Sequence, residues 1–132
     1  MGKIMYKNHE YSGSNDKADF VVEQGTDGIW TYRKWNSGIA ECWGSGSATL
    51  SHYTTAGGNG FYGYHTTFSL PTGLFVANSV PIHTYIPTVG TGFAMPASGM
   101  ASSNTGIHVY ALASVSGSQS CAFDMVVKGR WK

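Results

Sequence analysis

Apolar and polar residues alternate along the chain in short runs broken by Gly, Asn, Ser and Pro. No window carries apolar residues at the i, i+3, i+4, i+7 spacing of a helix without a Gly, a Pro or a β-branched cluster intervening. The pattern predicts strands near Phe20–Gln24, Ile29–Trp35, Ile39–Gly44, Phe61–Leu70, Val80–Ile86, Ile107–Ala113 and Ala122–Trp131. About seven strands separated by turn signals suit a single antiparallel β-sandwich, so the expected fold class is all-β. Two longer connections, Ser45–Gly60 and Thr88–Gly106, are rich in Gly, Ser and Thr and are expected to be loops, either functional or packed against a neighbour. Residues 1–18 hold too little apolar side chain to fold alone and are expected to be an extended lead-in from something upstream, with residues 19–132 forming the sandwich.

The most distinctive pattern is GIWTYRKWNSGIAECWG, Gly28 to Gly44. Asn36-Ser37-Gly38 suits a type I turn followed by a glycine in the left-handed region, the three-residue hairpin connection. That turn sets a register in which Trp35 faces Ile39, Arg33 faces Glu41, Thr31 faces Trp43, and Tyr32 faces Cys42 on the opposite side. Arg33 and Glu41 are therefore expected to be a structural cross-strand pair flanked by Trp35 and Trp43. An ion pair lowers a carboxylate's pKa, which is the wrong direction for a general acid, and no second carboxylate stands beside it.

Composition narrows the classes. With 132 residues, 42% apolar and 14% aromatic, the chain is long enough for one core and far from the disordered range. Only 11% of residues are charged and the net charge is +1, so no broad field gathers phosphates or anionic lipid, and neither nucleic acid nor membrane insertion is expected. A surface poor in charge and rich in Ser, Thr, Gly, Asn and Tyr suits neutral polyhydroxylated ligands or burial in an oligomer. No run has the length of a signal-peptide core or a bilayer span, so the chain as given is expected to be soluble and unprocessed. Cys42 and Cys121 lie in apolar strand-like stretches and are expected to be buried, reduced thiols.

The search for chemistry returns little. His9, His52, His65, His83 and His108 have no H-x-H, H-E-x-x-H or Cys–His spacing, so no metal site is expected. There is no G-x-S-x-G and no phosphate-binding glycine loop, and no cofactor is expected. Four of the seven acidic residues lie in or beside the lead-in, which makes a paired-carboxylate site hard to build, so no catalytic residues are assigned. What remains is HYTTAGGNGFYGYHTTF, His52 to Phe68, in which aromatic faces that stack on sugar rings are interleaved with hydrogen-bonding side chains. Tyr53, Asn59, Phe61, Tyr62, Tyr64 and His65 are the candidate ligand-binding residues; ordinary strand aromatics with alternate ones buried are the competing reading.

The run Trp30–Trp35, then Gly38, then Ala40–Gly44 resembles the C-terminal tip domain of tail-fibre or minor structural proteins of phages and prophages of gut Firmicutes. FSLPTGLF at Phe68–Phe75 and VVKGRWK at Val126–Lys132 resemble two further strands of such tips. The resemblance covers roughly Phe20 to the end and implies a β-sandwich tip, assembled as a homotrimer at the end of a fibre. It also implies a virion location after synthesis in the host cytoplasm, and recognition of a host cell-surface glycan or protein. It supplies no catalytic residues. A purely structural trimerising cap and, more remotely, a glycan depolymerase are the alternatives.

Overall fold

A computed structural model of the chain describes residues 18–56, 60–97 and 101–132. The expected lead-in therefore lies outside the described residues, apart from Ala18, as does Asn59. The described residues form nine strands and no helix: β1 (Val21–Asp27), β2 (Trp30–Trp35), β3 (Ile39–Ser51), β4 (Thr54–Ala56), β5 (Phe61–Ser69), β6 (Ile82–Val89), β7 (Ala94–Ala97), β8 (Gly106–Ala113) and β9 (Ser118–Arg130). They make a five-stranded sheet ordered β1-β2-β3-β9-β6 and a four-stranded sheet ordered β4-β5-β8-β7. All the pairings are antiparallel, and the all-β class stands.

The hairpin follows the turn chemistry. Gly38 has a φ of 100° and its N–H donates to the Trp35 carbonyl at 3.0 Å, which closes the turn. Thr31 stands opposite Trp43, Tyr32 opposite Cys42, and Arg33 opposite Glu41. At the other end of the sheet β6 is an edge strand and carries Pro87, while β7, an edge strand of the second sheet, carries Pro96. Both prolines sit where a missing ladder donor costs least.

The stretch after Gly44 departs from expectation. It is no loop: β3 continues to Ser51 and pairs with β9 rung by rung from Ser45–Asp124 to Ser51–Ser118. The reason is close packing. Gly44, Gly46 and Ala48 fall on the inward face of β3, and a side chain at Gly46 would run into the ring of Phe68 from the other sheet. The small residues that suggest a loop are here the condition for one sheet to approach the other. β9 likewise begins at Ser118, earlier than expected, because it has this longer partner. The second long connection contains β7, paired from Ala94–Ala113 to Ala97–Tyr110.

Between the sheets lies one core, with Tyr64, Ile107, Val109, Phe123, Met125 and Val127 at its centre. Phe123 touches aromatic rings from both sheets, Phe68 at 6.0 Å and Tyr85 at 6.1 Å between centroids. Both cysteines are buried free thiols, and burial pushes the Cys42 thiol up to about 12. Cys42 is opposite Val127 and Cys121 opposite Ala48, six rungs away along the same ladder. At about 3.3 Å per residue that is roughly 20 Å, well beyond the ~7 Å limit of a disulfide.

The three stretches that carry the sequence resemblance meet in the fold and bind one another. Trp131 donates its indole N–H to the Trp35 carbonyl at 2.7 Å and its backbone N–H to Gly38. Trp30 donates to the Ser69 carbonyl at 2.7 Å, and Phe75 packs against Gly129. These residues are scaffold.

Candidate functional site

Alternation along β5 sends Tyr62, Tyr64 and Phe68 toward the core and leaves Phe61, Gly63 and His65 on the outward face of the four-stranded sheet. Tyr53, just before β4, lies across Gly63, whose missing side chain leaves room for the ring. From there Tyr53 meets the His65 ring edge-on at 4.7 Å. His65 stacks on Tyr110 of β8 at 5.3 Å with the planes 19° apart. Tyr53 also meets Tyr110 at 6.1 Å, so three rings form one cluster, in which Tyr53 is the exposed member and Tyr110 is buried. Tyr53 is 53% exposed, whereas Nδ1 of His65 is buried with no hydrogen-bond partner among the described residues.

Tyr110 is shared with a second feature. An open cleft of about 790 Å³ runs between the edge of the five-stranded sheet and the edge of the four-stranded one. Its walls are His83, Thr84 and Tyr85 from β6, Pro96 and Ala97 from β7, and His108 and Tyr110 from β8. The Tyr85 hydroxyl spans the two edges: it accepts the Tyr110 N–H at 3.0 Å and donates to the Ala97 carbonyl. His83 is stacked on Tyr85, ring centroids 5.9 Å apart and planes 11° apart. One ring nitrogen of His108, Nδ1, is 3.0 Å from Thr67 Oγ1, and its backbone N–H donates to Ser102 Oγ. Both imidazoles are therefore held in place by the fold.

Placing the candidate residues in three dimensions separates them. Tyr53 and His65 come together with Tyr110. Phe61 is half-buried and meets the exposed Phe93 at 6.3 Å. Tyr62 packs on the core and against His52. Tyr64 has no exposed surface, and its hydroxyl donates to the carbonyls of Val115 and Gly117, so it is a core residue and touches no ligand in this fold. Sequence reading passed over Tyr110, His83 and His108. The alternation of IHVYALA does place His108 and Tyr110 on one face, but nothing local marks that face as the outward one.

The charged groups all lie elsewhere. No Lys, Arg, Asp or Glu occurs between Cys42 and Phe123, so the four-stranded sheet has no fixed charge and β6 has none either. Around the hairpin, Arg33 Nε and Glu41 are 4.0 Å apart, the outer limit of an ion pair. Glu41 accepts the Trp35 indole N–H at 3.0 Å, while the Arg33 guanidinium lies 4.9 Å from the Trp43 ring centre. The firmer pair is Lys34–Glu23 at 3.0 Å, to which Tyr32 adds a hydrogen bond at 2.9 Å. Lys34 and Tyr32 hold the Glu23 carboxyl below its ordinary value, and Glu23 raises the Tyr32 phenol. The hydroxyl and backbone N–H of Ser37 do the same for Asp19. Asp27 accepts the Thr72 N–H and Asp124 the Ser45 hydroxyl, so every described carboxylate has a structural partner. Among the described residues no three His, Cys, Asp or Glu side chains are placed to share a metal.

No family model and no curated protein sequence matches the chain. Among solved structures its fold is similar to a C-terminal fragment of the R1 pyocin fibre of P. aeruginosa, with a TM-score of 0.50 over 86% of this chain. Sequence identity is 14%, and the chain spans 28% of that fragment's length. At this identity the likeness shows the fold alone: a β-structure of a kind also found in a pyocin fibre. It lends no support to an origin in gut Firmicutes.

Proposed function

We propose that the chain is the receptor-binding tip domain of a phage tail fibre, recognising a host cell-surface saccharide without catalysis. The observation that carries this reading is the exposed Tyr53 ring packed on His65 and Tyr110, beside a cleft that Tyr110 also lines, on a sheet free of fixed charge. Aromatic faces with imidazole and hydroxyl neighbours suit a ring that is apolar on its faces and polyhydroxylated at its rim. The fibre-like fold supports the setting, and the engagement of each described carboxylate in a structural contact away from the cleft supports binding in place of bond cleavage.

Assembly as a homotrimer belongs to the same reading. Ile82, Ile86 and Val126 stand side by side on the outward face of the five-stranded sheet, all more than half exposed, and a closed cyclic assembly would remove such a strip from water. Light scattering at micromolar concentration is expected to return three copies; a monomer overturns the assembly. For binding, a glycan array at neutral pH is expected to retain the protein on a subset of saccharides and to lose it on Tyr53→Ala. Weak single sites would be reinforced by the several copies. An array that retains nothing overturns receptor binding and leaves the structural cap.

A further inference from the structure

The cleft between β6, β7 and β8 differs from the aromatic cluster beside it in carrying two imidazoles, His83 and His108, and, among the described residues, no lysine or arginine. We propose that it is a site for an acidic saccharide, one whose ring bears a carboxylate, with His83 and His108 as the groups that meet the carboxylate once they are protonated. The inference rests on the receptor-binding reading and names the ligand class and its regulation.

Three observations carry it. Among the described residues the cleft wall holds no carboxylate that would claim the imidazoles or repel an anion. The described side chains that face the two rings from the elements around them are likewise uncharged. β5 offers Thr67 to His108, and β8 offers Tyr110. The segment before β8 offers Ser102, and β6 itself offers Tyr85. On β9, Val127 stands opposite His83 and is buried, while its neighbours Val126 and Lys128 alternate to the far face. Finally, the stack on Tyr85 and the hydrogen bond to Thr67 fix the rings in advance, so little side-chain freedom is lost on binding.

The chemistry then depends on pH. Histidine is the side chain whose charge changes between about pH 5 and 8. Above that range the cleft has only hydrogen bonds to give, and a neutral sugar and its acidic analogue differ little. Below it, two imidazolium groups in a cleft without competing charge form charge-assisted hydrogen bonds to a carboxylate. A phosphate suits the site less well, since neither a guanidinium fork nor an ammonium lines it.

The test uses the intact protein, trigalacturonate and its methyl ester, whose carboxylates are masked, with calorimetry at about pH 5.5 and about pH 7.5. Trigalacturonate is expected to bind about tenfold tighter at the lower pH, the difference between neutral and charge-assisted hydrogen bonds. The ester is expected to show no such gain, and the gain should vanish in His83→Gln/His108→Gln. NMR of the wild-type protein supplies a readout independent of any variant's folding. The imidazole signals of His83 and His108 should titrate at higher pH with trigalacturonate present than without, and those of His52, outside the cleft, should not. Equal affinity at the two pH values, a gain that survives the double substitution, or unmoved His83 and His108 titrations overturns the inference. If the array at neutral pH retains the protein on neutral glycans while trigalacturonate fails at both pH values, this inference falls and receptor binding stands; failure of both removes both.

Discussion

The two sheets of this molecule solve the problem of facing water in opposite ways. On the five-stranded sheet the outward hairpin positions carry Arg33, Glu41, Trp35 and Trp43, locked to one another by an indole hydrogen bond and a guanidinium–indole stack. On the other face of the same sheet, at its edge, stands the Glu23–Lys34–Tyr32 network. The described outward residues of the four-stranded sheet are aromatics, imidazoles, hydroxyls, small residues and the aliphatic Met95 and Leu112, and its sequence has no fixed charge at all. The polar groups of the hairpin face are mostly paired with one another, with Arg33 Nε buried and lacking a hydrogen-bond partner among the described residues. The uncharged face exposes half of the Tyr53 ring, while Tyr110 and the unpaired Nδ1 of His65 beside it are buried. The same alternating strand pattern thus builds a face with fixed charges and a face with none, and the difference lies in where the charged residues fall along the chain.

The contrast holds only outside the core, which the sheets share, and substitutions there should affect both together. Phe123→Ala removes a ring that touches Phe68 and Tyr85, and is expected to cost about 3–5 kcal/mol. Denaturant unfolding should show one transition moved to lower midpoint. Two separate transitions would mean that the sheets are independent units. Next in size, Tyr64→Phe deletes a hydroxyl shared between two carbonyls behind the uncharged face, and about 1–2 kcal/mol should be lost. Glycan retention at low temperature should be unchanged, because this ring faces inward; lost retention in a folded variant would move the site.

Smaller effects belong to the charged face. Glu41→Gln keeps an acceptor for the Trp35 indole and gives up only a long, half-exposed ion pair, so about 0.5 kcal/mol or less is expected by thermal unfolding. A loss of several kcal/mol would show that the pair is structural in the strong sense. The smallest effect is acid sensitivity. Glu23 is held below its ordinary 4.5 by Lys34 and then Tyr32, and Asp19 below its ordinary 3.8 by Ser37. A depressed carboxyl contributes stability that is complete above the unfolded value and lost as pH falls through the folded one. Stability should therefore decline below about pH 4.5, and Glu23→Gln should flatten the upper part of that decline. Both groups are exposed, so the change in denaturation midpoint should be slight.

Much of the architecture was legible in the chain. Alternation and turn residues located seven strands, and Asn36-Ser37-Gly38 specified the hairpin register down to Arg33 opposite Glu41. The missed parts have local causes. β4 and β7 are too short to show a period, at Thr54–Ala56 and Ala94–Ala97. The second half of β3 is written in Gly, Ser, Ala and Thr, which read as loop until Phe68 is known to lie against Gly46.

The candidate site divides along the same line. The sequence by itself determined the alternation of β5, the supply of aromatics, and the absence of charge from Cys42 to Phe123, because these are properties of order and composition. Only the tertiary structure decided which side of β5 faces out, so that Tyr64 is sealed in the core while His65, its neighbour, stacks on Tyr110. A period of two says which residues share a face, and the partner sheet says which face is buried. The cleft is further still from the sequence, for His83 and His108 are brought to one cavity only when the edges of two different sheets meet. No local propensity encodes that meeting; it follows from burying both sheets' apolar faces in one core.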